Sequence, residues 1–334
     1  MSRNLQAAIA GAIVGIALLL PAFLHTDYTL QIIFRIFLFA ALGLAWNWVG
    51  GYSGQLSLGH AAYFGAGAYG LALFARAGLP PWPAVGCAVI LSMIFAALIG
   101  KVSFRLRGPY FALCTIAFAE VLRLTAKNLP NVTGGDVGMQ VPALFKYSTT
   151  QSFYYASVLL TALAVALTYW IERARFGYSL MAIREDEDTA LSVGINTPRT
   201  KLYALLLSAA LTAIGGALYA SMFLYIVPDQ VLAMEVSTEV AIVAMLGGAG
   251  TLLGPLVGAI TLESAAEIFK AWFQEAHLLI YGILIIVVVL FLPEGIVGTI
   301  SRKLAVFKAA PIPPFTEKPR PGAKAETTRA AVLK

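Results

Sequence analysis

Charge is what this chain has least of. Asp, Glu, Lys and Arg make up 12% of its 334 residues, while 59% are hydrophobic. A soluble domain carries about 25% charged residues, and half that share cannot coat a globule in water. Catalytic signatures are absent as well. No Gly-x-x-x-x-Gly-Lys-Ser/Thr loop occurs to cradle a nucleotide phosphate. There is no His-Glu-x-x-His pair, and the three histidines, His25, His60 and His277, are widely separated. Gly51-Tyr52-Ser53-Gly54 is too short for a Gly-x-Ser-x-Gly nucleophile elbow. Cys87 and Cys114 each sit in an apolar run outside any spaced motif, so they read as small buried hydrophobes. A cytosolic enzyme and a secreted disulfide scaffold are excluded. No catalytic residue, metal ligand or bound cofactor is expected in this chain.

What is present is apolar length. A helix crosses a bilayer with about 20 apolar residues, and spans are predicted near 5–24, 30–48, 57–75, 82–100, 110–127, 153–171 and 202–224. The first resembles a signal sequence, but it is too long for an h-region and Pro21-Ala22-Phe23 is no cleavage site, so it reads as a retained helix. The fold class is an all-α, polytopic integral membrane protein.

Loop charge sets direction, because Lys and Arg collect in cytoplasmic loops. Segment 101–109 holds Lys101, Arg105 and Arg107; segment 172–201 holds Arg173, Arg175, Arg184, Arg199 and Lys201. The tail 302–334 carries eight Lys/Arg against Glu317 and Glu326, which accounts for the whole net charge of +6. All three are placed inside. Segment 225–238, with Asp229 and Glu235 and no base, falls outside. An odd number of crossings must then follow, so the apolar stretch is split at Gly247–Pro255, giving spans near 234–246, 254–273 and 278–297. The total is about ten, with both termini cytoplasmic and 17 of the 23 Lys/Arg inside. Residues 1–301 read as the transmembrane domain. The Pro-rich tail 302–334 has too little apolar content to fold alone, and its charge suits lipid headgroups rather than nucleic acid.

Four constellations remain. Gly50 to His60, continued by Gly65, Gly67 and Gly70, is either a tight loop feeding a packing face or a broken segment lining a path. Gly247 to Gly254 is a second break in the other half, a faint match to the first that an internal repeat would explain. Within 184–198 the acids favour a helix N-terminus, while Gly194 and Pro198 are stop signals. A short helix over about 187–193 is predicted, either a solvated charge run or a docking surface for a cytoplasmic partner. Glu120, about 15 Å into its span at 1.5 Å per residue, has Arg123 one turn on. An intramembrane ion pair or a functional carboxylate would each fit. Arg35, nearer the outer end of its span, is expected to snorkel.

Ser53-Gly-Gln-Leu-Ser-Leu-Gly-His60 ahead of a Gly-rich helix resembles the permeases of branched-chain amino acid ABC importers. The similarity continues in Leu106-Arg-Gly-Pro-Tyr-Phe111, Ala117-Phe-Ala-Glu120, Thr133-Gly-Gly135 and the stretch Phe176 to Asp186. It extends through Gly215-Gly-Ala-Leu-Tyr219, Leu246-Gly-Gly-Ala-Gly250 and Gly254-Pro255, in order over about residues 30 to 300, and is similar to the M-type rather than the H-type subunit. The chain starts closer to its first span than some members do, and the tail lies outside the matching core.

The resemblance implies a bacterial inner-membrane permease paired with a second, homologous one. Two cytoplasmic ATPases using ATP and Mg, and a periplasmic amino-acid-binding protein, would complete the system. Such permeases dock the ATPase through a short helix written Glu-Ala-Ala-x-x-x-Gly. Asp188-Thr189-Ala190-x-x-x-Gly194 fits that frame with two departures, which assigns Glu185, Asp188, Thr189, Ala190, Gly194 and Asn196 to ATPase coupling. Gly54, Ser57, Gly59, His60, Thr133, Gly134, Gly135, Gly247, Gly248 and Gly250 are expected to line or gate the path. The binding protein would meet the face bearing Asp136, Asp229, Glu235 and Glu275. Three alternatives stand beside this: an ion-gradient-driven transporter using Glu120, a permease for urea or amides, and a membrane scaffold recruiting through its tail.

Overall fold

The computed structural model describes residues 3–22, 26–106, 108–145, 149–273 and 295–300, with Gly282 and Ile286 between the last two stretches. The span expected at 278–297, Glu275 and the tail 302–334 lie outside the described residues, apart from the few just named.

Proline and glycine punctuate helices of mostly apolar residues. The order is α1 (Arg3–Leu19), α2 (Asp27–Val49), α3 (His60–Arg76), α4 (Pro81–Ser103) and α5 (Pro109–Lys127). A single turn, α6 (Pro130–Thr133), precedes α7 (Thr150–Arg173), α8 (Arg175–Glu185), α9 (Glu187–Ser192) and α10 (Thr197–Phe223). Then come α11 (Pro228–Val231), α12 (Met234–Gly247) and α13 (Gly254–Phe273). Proline opens α4, α5, α6 and α11, and sits in the first turn of α10. There its missing N–H costs nothing and its fixed φ suits a helix start. Among the described residues, α2, α4, α5, α7, α10 and the α11–α12 stretch are long and apolar enough to cross a membrane.

Lipid tails are as apolar as leucine, so burial alone does not bring spans together; close packing and polar contacts do. Helices α2 and α10 form the centre. α10 packs on α3, α4 and α2, and α2 packs on α7, α12 and α13. The α3–α10 contact is close because Gly67 and Gly216 face backbone. A methyl at Gly67 would stand 2.0 Å from the Ala213 carbonyl oxygen, and one at Gly216 would stand 2.0 Å from that of Phe64. On the periphery Ile90, Ile94, Leu98 and Val102 keep helical spacing along α4 and are exposed.

Two features differ from the sequence reading. Segment 172–201 holds two helices rather than one, and α10 begins at Thr197 rather than near Leu202. Charges at both ends of α8 hide it from any apolar criterion, although Gly177, Leu180 and Ile183 are buried. An antiparallel two-residue ribbon, β1 (Met139–Gln140) with β2 (Tyr225–Ile226), joins the opposite end of the bundle. It is too short to leave a period-two signal.

Candidate functional site

After Val49 the chain leaves the helix while still inside the protein, and every such backbone group needs a partner where water is excluded. The partners come from five helices. The Gly51 and Tyr52 amides bond to the Asn47 carbonyl (2.9 and 2.8 Å). Trp46 Nε1 donates to the Ser57 carbonyl (2.7 Å), and the Leu58 amide donates to Thr115 Oγ1 on α5 (3.1 Å). The Ala61 amide reaches Ser237 Oγ on α12 at 2.7 Å. Tyr52 Oη donates to Glu172 Oε1 on α7 at 2.6 Å. His60 is held between Ser57 Oγ (3.3 Å) and Ser208 Oγ on α10 (2.8 Å), and is fully buried. Segment 50–59 is thus a break pinned at Gly50–Tyr52 and at Ser57–His60, with Gly54 and Leu56 exposed between them.

The second break meets the first. Asn47, fully buried, accepts from the Gly250 amide through Oδ1 (2.7 Å) and donates to the Thr251 carbonyl through Nδ2 (2.9 Å). Thr251 Oγ1 donates to the Gly248 carbonyl (2.8 Å) and accepts from the Gly254 amide (3.0 Å), which closes the turn between α12 and α13. Arg184, from α8, donates through Nη1 to the Gly51 carbonyl at 2.8 Å. The fit depends on missing side chains. A methyl at Gly51 would lie 1.8 Å from Asn47 Oδ1 and 2.4 Å from the Gly250 nitrogen. One at Gly250 would lie 2.4 Å from Arg184 Nη1. Gly51, Gly250, Asn47 and Arg184 thus form one junction, with Gly54 against the Arg184 stem.

Sequence reasoning left out Asn47 and counted Arg184 only as a charge of the loop 172–201. A signal existed for the first: an amide in the otherwise apolar run 36–49 that ends α2. Asn47→Ala would orphan one part-buried donor and one part-buried acceptor, each costing up to about 1–3 kcal/mol. A clear fall in the thermal unfolding midpoint in detergent is expected, and an unchanged midpoint would show that the clasp does not hold the breaks.

The loop next to this junction is ordered by its own side chains. The Asp186 side chain caps α9 by accepting from the Thr189 amide at 2.5 Å, and Gly194 follows with φ +89°. Lys201 Nζ bonds to Glu187 Oε1 at 2.7 Å, and the Thr197 hydroxyl donates to the same oxygen at 3.0 Å. The Asn196 side chain caps α10 through the Arg199 amide (3.2 Å). Of the predicted coupling residues, Glu185, Asp188, Thr189, Gly194 and Asn196 are exposed, whereas Ala190 turns inward and is 1% exposed. The outward apolar residues are Leu191 and Val193; the frame of the motif drew attention away from them.

Thr133, Gly134 and Gly135 are not brought to the junction. They form a turn past the far end of α5, where the Thr133 hydroxyl donates to the carbonyls of Ala126 (2.5 Å) and Leu129 (2.8 Å). Beside them Arg123 grips Glu120 twice, Nε to Oε2 at 2.9 Å and Nη2 to Oε1 at 2.5 Å, and also reaches Asp229. Lys127 bridges Asp229 (2.8 Å) and Asp136 (3.0 Å). Arg35 does not simply snorkel: its Nη2 lies 3.3 Å from Glu263 Oε2 and 3.6 Å from Glu239 Oε1. Both carboxylates lie more than 200 residues away in sequence, beyond the reach of any local pattern.

A family model described as branched-chain amino acid transport system / permease component matches residues 28–289. The high-affinity branched-chain amino acid transport system permease protein LivM of Escherichia coli is 29% identical over 86% of this chain and 74% of its own length. The corresponding LivH of Salmonella typhimurium is 24% identical over 78% of this chain and 91% of its own. A probable LivM of Methanocaldococcus jannaschii is 22% identical over 64% and 70%. No solved structure matches. With some three-quarters of its length inside the family model, and with apolar helices enough for a multi-pass membrane protein, the chain belongs to the permease components of branched-chain amino acid transport systems.

Proposed function

We propose that this permease is one half of a heterodimeric pore in an ATP-driven importer for branched-chain or closely related amino acids. The reading places it in the bacterial inner membrane with both termini and the basic tail 302–334 cytoplasmic. Its partners are a second permease, two ATPases that use ATP and Mg, and an external amino-acid-binding protein that meets the end carrying Asp136, Asp229 and Glu235.

One observation carries the mechanism: Arg184 ties the docking region to both glycine breaks. The ATPases bind the outer face of α9. Lys201 fixes α9 to α10, and Arg184 on α8 holds the Gly51 carbonyl beside Gly250. A displacement of α8 and α9 on ATP binding therefore reaches the two breaks together. These breaks are where α2 meets α3 and α12 meets α13, so helices on both sides of the subunit re-aim at once.

In proteoliposomes holding all four kinds of subunit, labelled leucine uptake is expected only with ATP on the ATPase side. Uptake driven by a proton or sodium gradient without ATPase would overturn the reading. Unlabelled valine and isoleucine should compete, and urea or acetamide should not. Leu191→Glu with Val193→Glu is expected to abolish ATPase co-purification while each substitution leaves the unfolding free energy within about 0.5 kcal/mol of wild type, as for exposed sites generally.

A further inference from the structure

The end of the bundle that bears Asp229 and Glu235 opens into a cavity of about 270 Å³. Arg35, Phe39, Phe64, Tyr219, Gln230 and Glu239 line it, with Ala233 and Val236 completing an apolar wall. Arg35 sits eight residues into α2, about 12 Å along the axis, and Glu239 five residues into α12, about 8 Å; their side chains are 44% and 26% exposed, so both are reachable from the mouth. Pockets for drug-sized ligands run to about 300–1,000 Å³; this one suits a smaller solute.

Its charges do not balance internally. One guanidinium serves two carboxyl groups, Glu239 and Glu263, at 3.6 and 3.3 Å, and these two also hydrogen-bond each other. Both distances exceed the roughly 2.7–2.9 Å of a charge-assisted hydrogen bond, so the planar fork of Arg35 still has N–H groups to give. Glu263 is 5% exposed, and among the described residues its Oε1 accepts no hydrogen bond. Buried acceptors of that kind are rare and call for a donor. Tyr219 Oη accepts from Gln230 Nε2 at 3.2 Å and has its own O–H to donate. Phe64 and Tyr219 meet with ring centroids 5.4 Å apart and planes tilted by 59°, which makes one wall aromatic.

We propose that this cavity is a binding site for a free α-amino acid zwitterion inside the permease, separate from the site on the binding protein. The ligand carboxylate takes the Arg35 fork, its ammonium faces Glu239 with Glu263 behind, and its aliphatic side chain lies against Phe39, Phe64 and Val236. A neutral amide has no net charge for either pole, and a bare cation leaves Arg35 unused. The proposal rests on the transport reading above and adds the place where substrate pauses.

The test uses the permease pair with its ATPases in nanodiscs, without binding protein, and measures equilibrium binding of labelled L-leucine. Saturable binding is expected, with competition by isoleucine but not by leucinamide, which lacks the carboxylate, nor by 4-methylpentanoate, which lacks the ammonium. Arg35→Gln should weaken binding about tenfold or more, as loss of a charged hydrogen-bond pair does, and Arg35→Lys should recover part of it. Absence of saturable binding, equal competition by either analogue, or an Arg35→Gln protein that binds like wild type would each overturn the site. Analogue competition needs no variant, so it decides the matter even if Arg35→Gln fails to assemble. ATP-driven leucine uptake by the complete wild-type system is recorded alongside. Uptake with no zwitterion-selective binding removes this site alone, whereas no uptake removes the transport reading itself.

Discussion

A permease with valine at position 51 is expected to melt well below wild type and to transport nothing. The added Cβ would sit 1.8 Å from Asn47 Oδ1 and 2.4 Å from the Gly250 nitrogen. Neither neighbour is the free end of a flexible chain. One is the amide that bonds to Gly250 and Thr251 (2.7 and 2.9 Å), and the other is backbone of the second break. Relief therefore requires the two breaks to separate, with loss of the Arg184 bond to the Gly51 carbonyl as well. Costs of about 4–5 kcal/mol are the exceptional tail for single substitutions, reached by core overpacking and broken buried networks; both apply here. Combining Gly51→Val with Asn47→Ala should not rescue the protein, because the clash with the Gly250 nitrogen persists. Gly86 on α4 is the control: a methyl there meets nothing within 4 Å, and Gly86→Ala should be neutral or stabilise by up to about 1 kcal/mol through helix propensity. A Gly51→Val protein with normal melting and uptake would show that the junction can open freely.

The turn between α12 and α13 was legible in sequence because charge parity demanded a crossing that hydropathy did not supply. The positions then agree closely, with α12 ending at Gly247 and α13 starting at Gly254. α9 was legible for a similar reason: acids, a glycine and a proline punctuate a polar loop, and the helix runs from Glu187 to Ser192. What the sequence concealed is contact. Asn47 and Gly250 are 203 residues apart, and nothing local says that one lone amide in an apolar helix clasps a distant glycine turn. Arg35 carried the same ambiguity, since an arginine near a span end looks alike whether it reaches lipid headgroups or two acids on other helices. Ala190 stands in a motif that suggested contact with a partner; in the structure it is 1% exposed, while Leu191 and Val193 lie outside.

Breaking the Glu187–Lys201 pair is expected to separate ATP hydrolysis from transport. Lys201 is 1% exposed and Glu187 side chain 21% exposed, with 2.7 Å between them. Removing one partner of a buried pair costs about 3–5 kcal/mol, because the remaining charge has lost its counter-ion. The two single variants should differ. Glu187→Gln leaves a lysine that has almost no water without a counter-charge, held only by a neutral amide oxygen and the Phe104 ring, 5.8 Å away. Lys201→Met keeps an unbranched chain of similar length, and Glu187 retains the Thr197 hydroxyl and partial solvent. Glu187→Gln should therefore be the more damaging, and the double variant should cost less than the sum, with a coupling of about 0.5–3 kcal/mol. Function should follow mechanics rather than stability alone. α9 still offers Leu191 and Val193 to the ATPase, so the complex should assemble and hydrolyse ATP, but α9 no longer pulls on α10 and uptake per ATP should fall. Single-variant costs that simply add, or uptake per ATP that stays at the wild-type value in a folded Lys201→Met complex, would mean that force reaches the breaks through Arg184 alone.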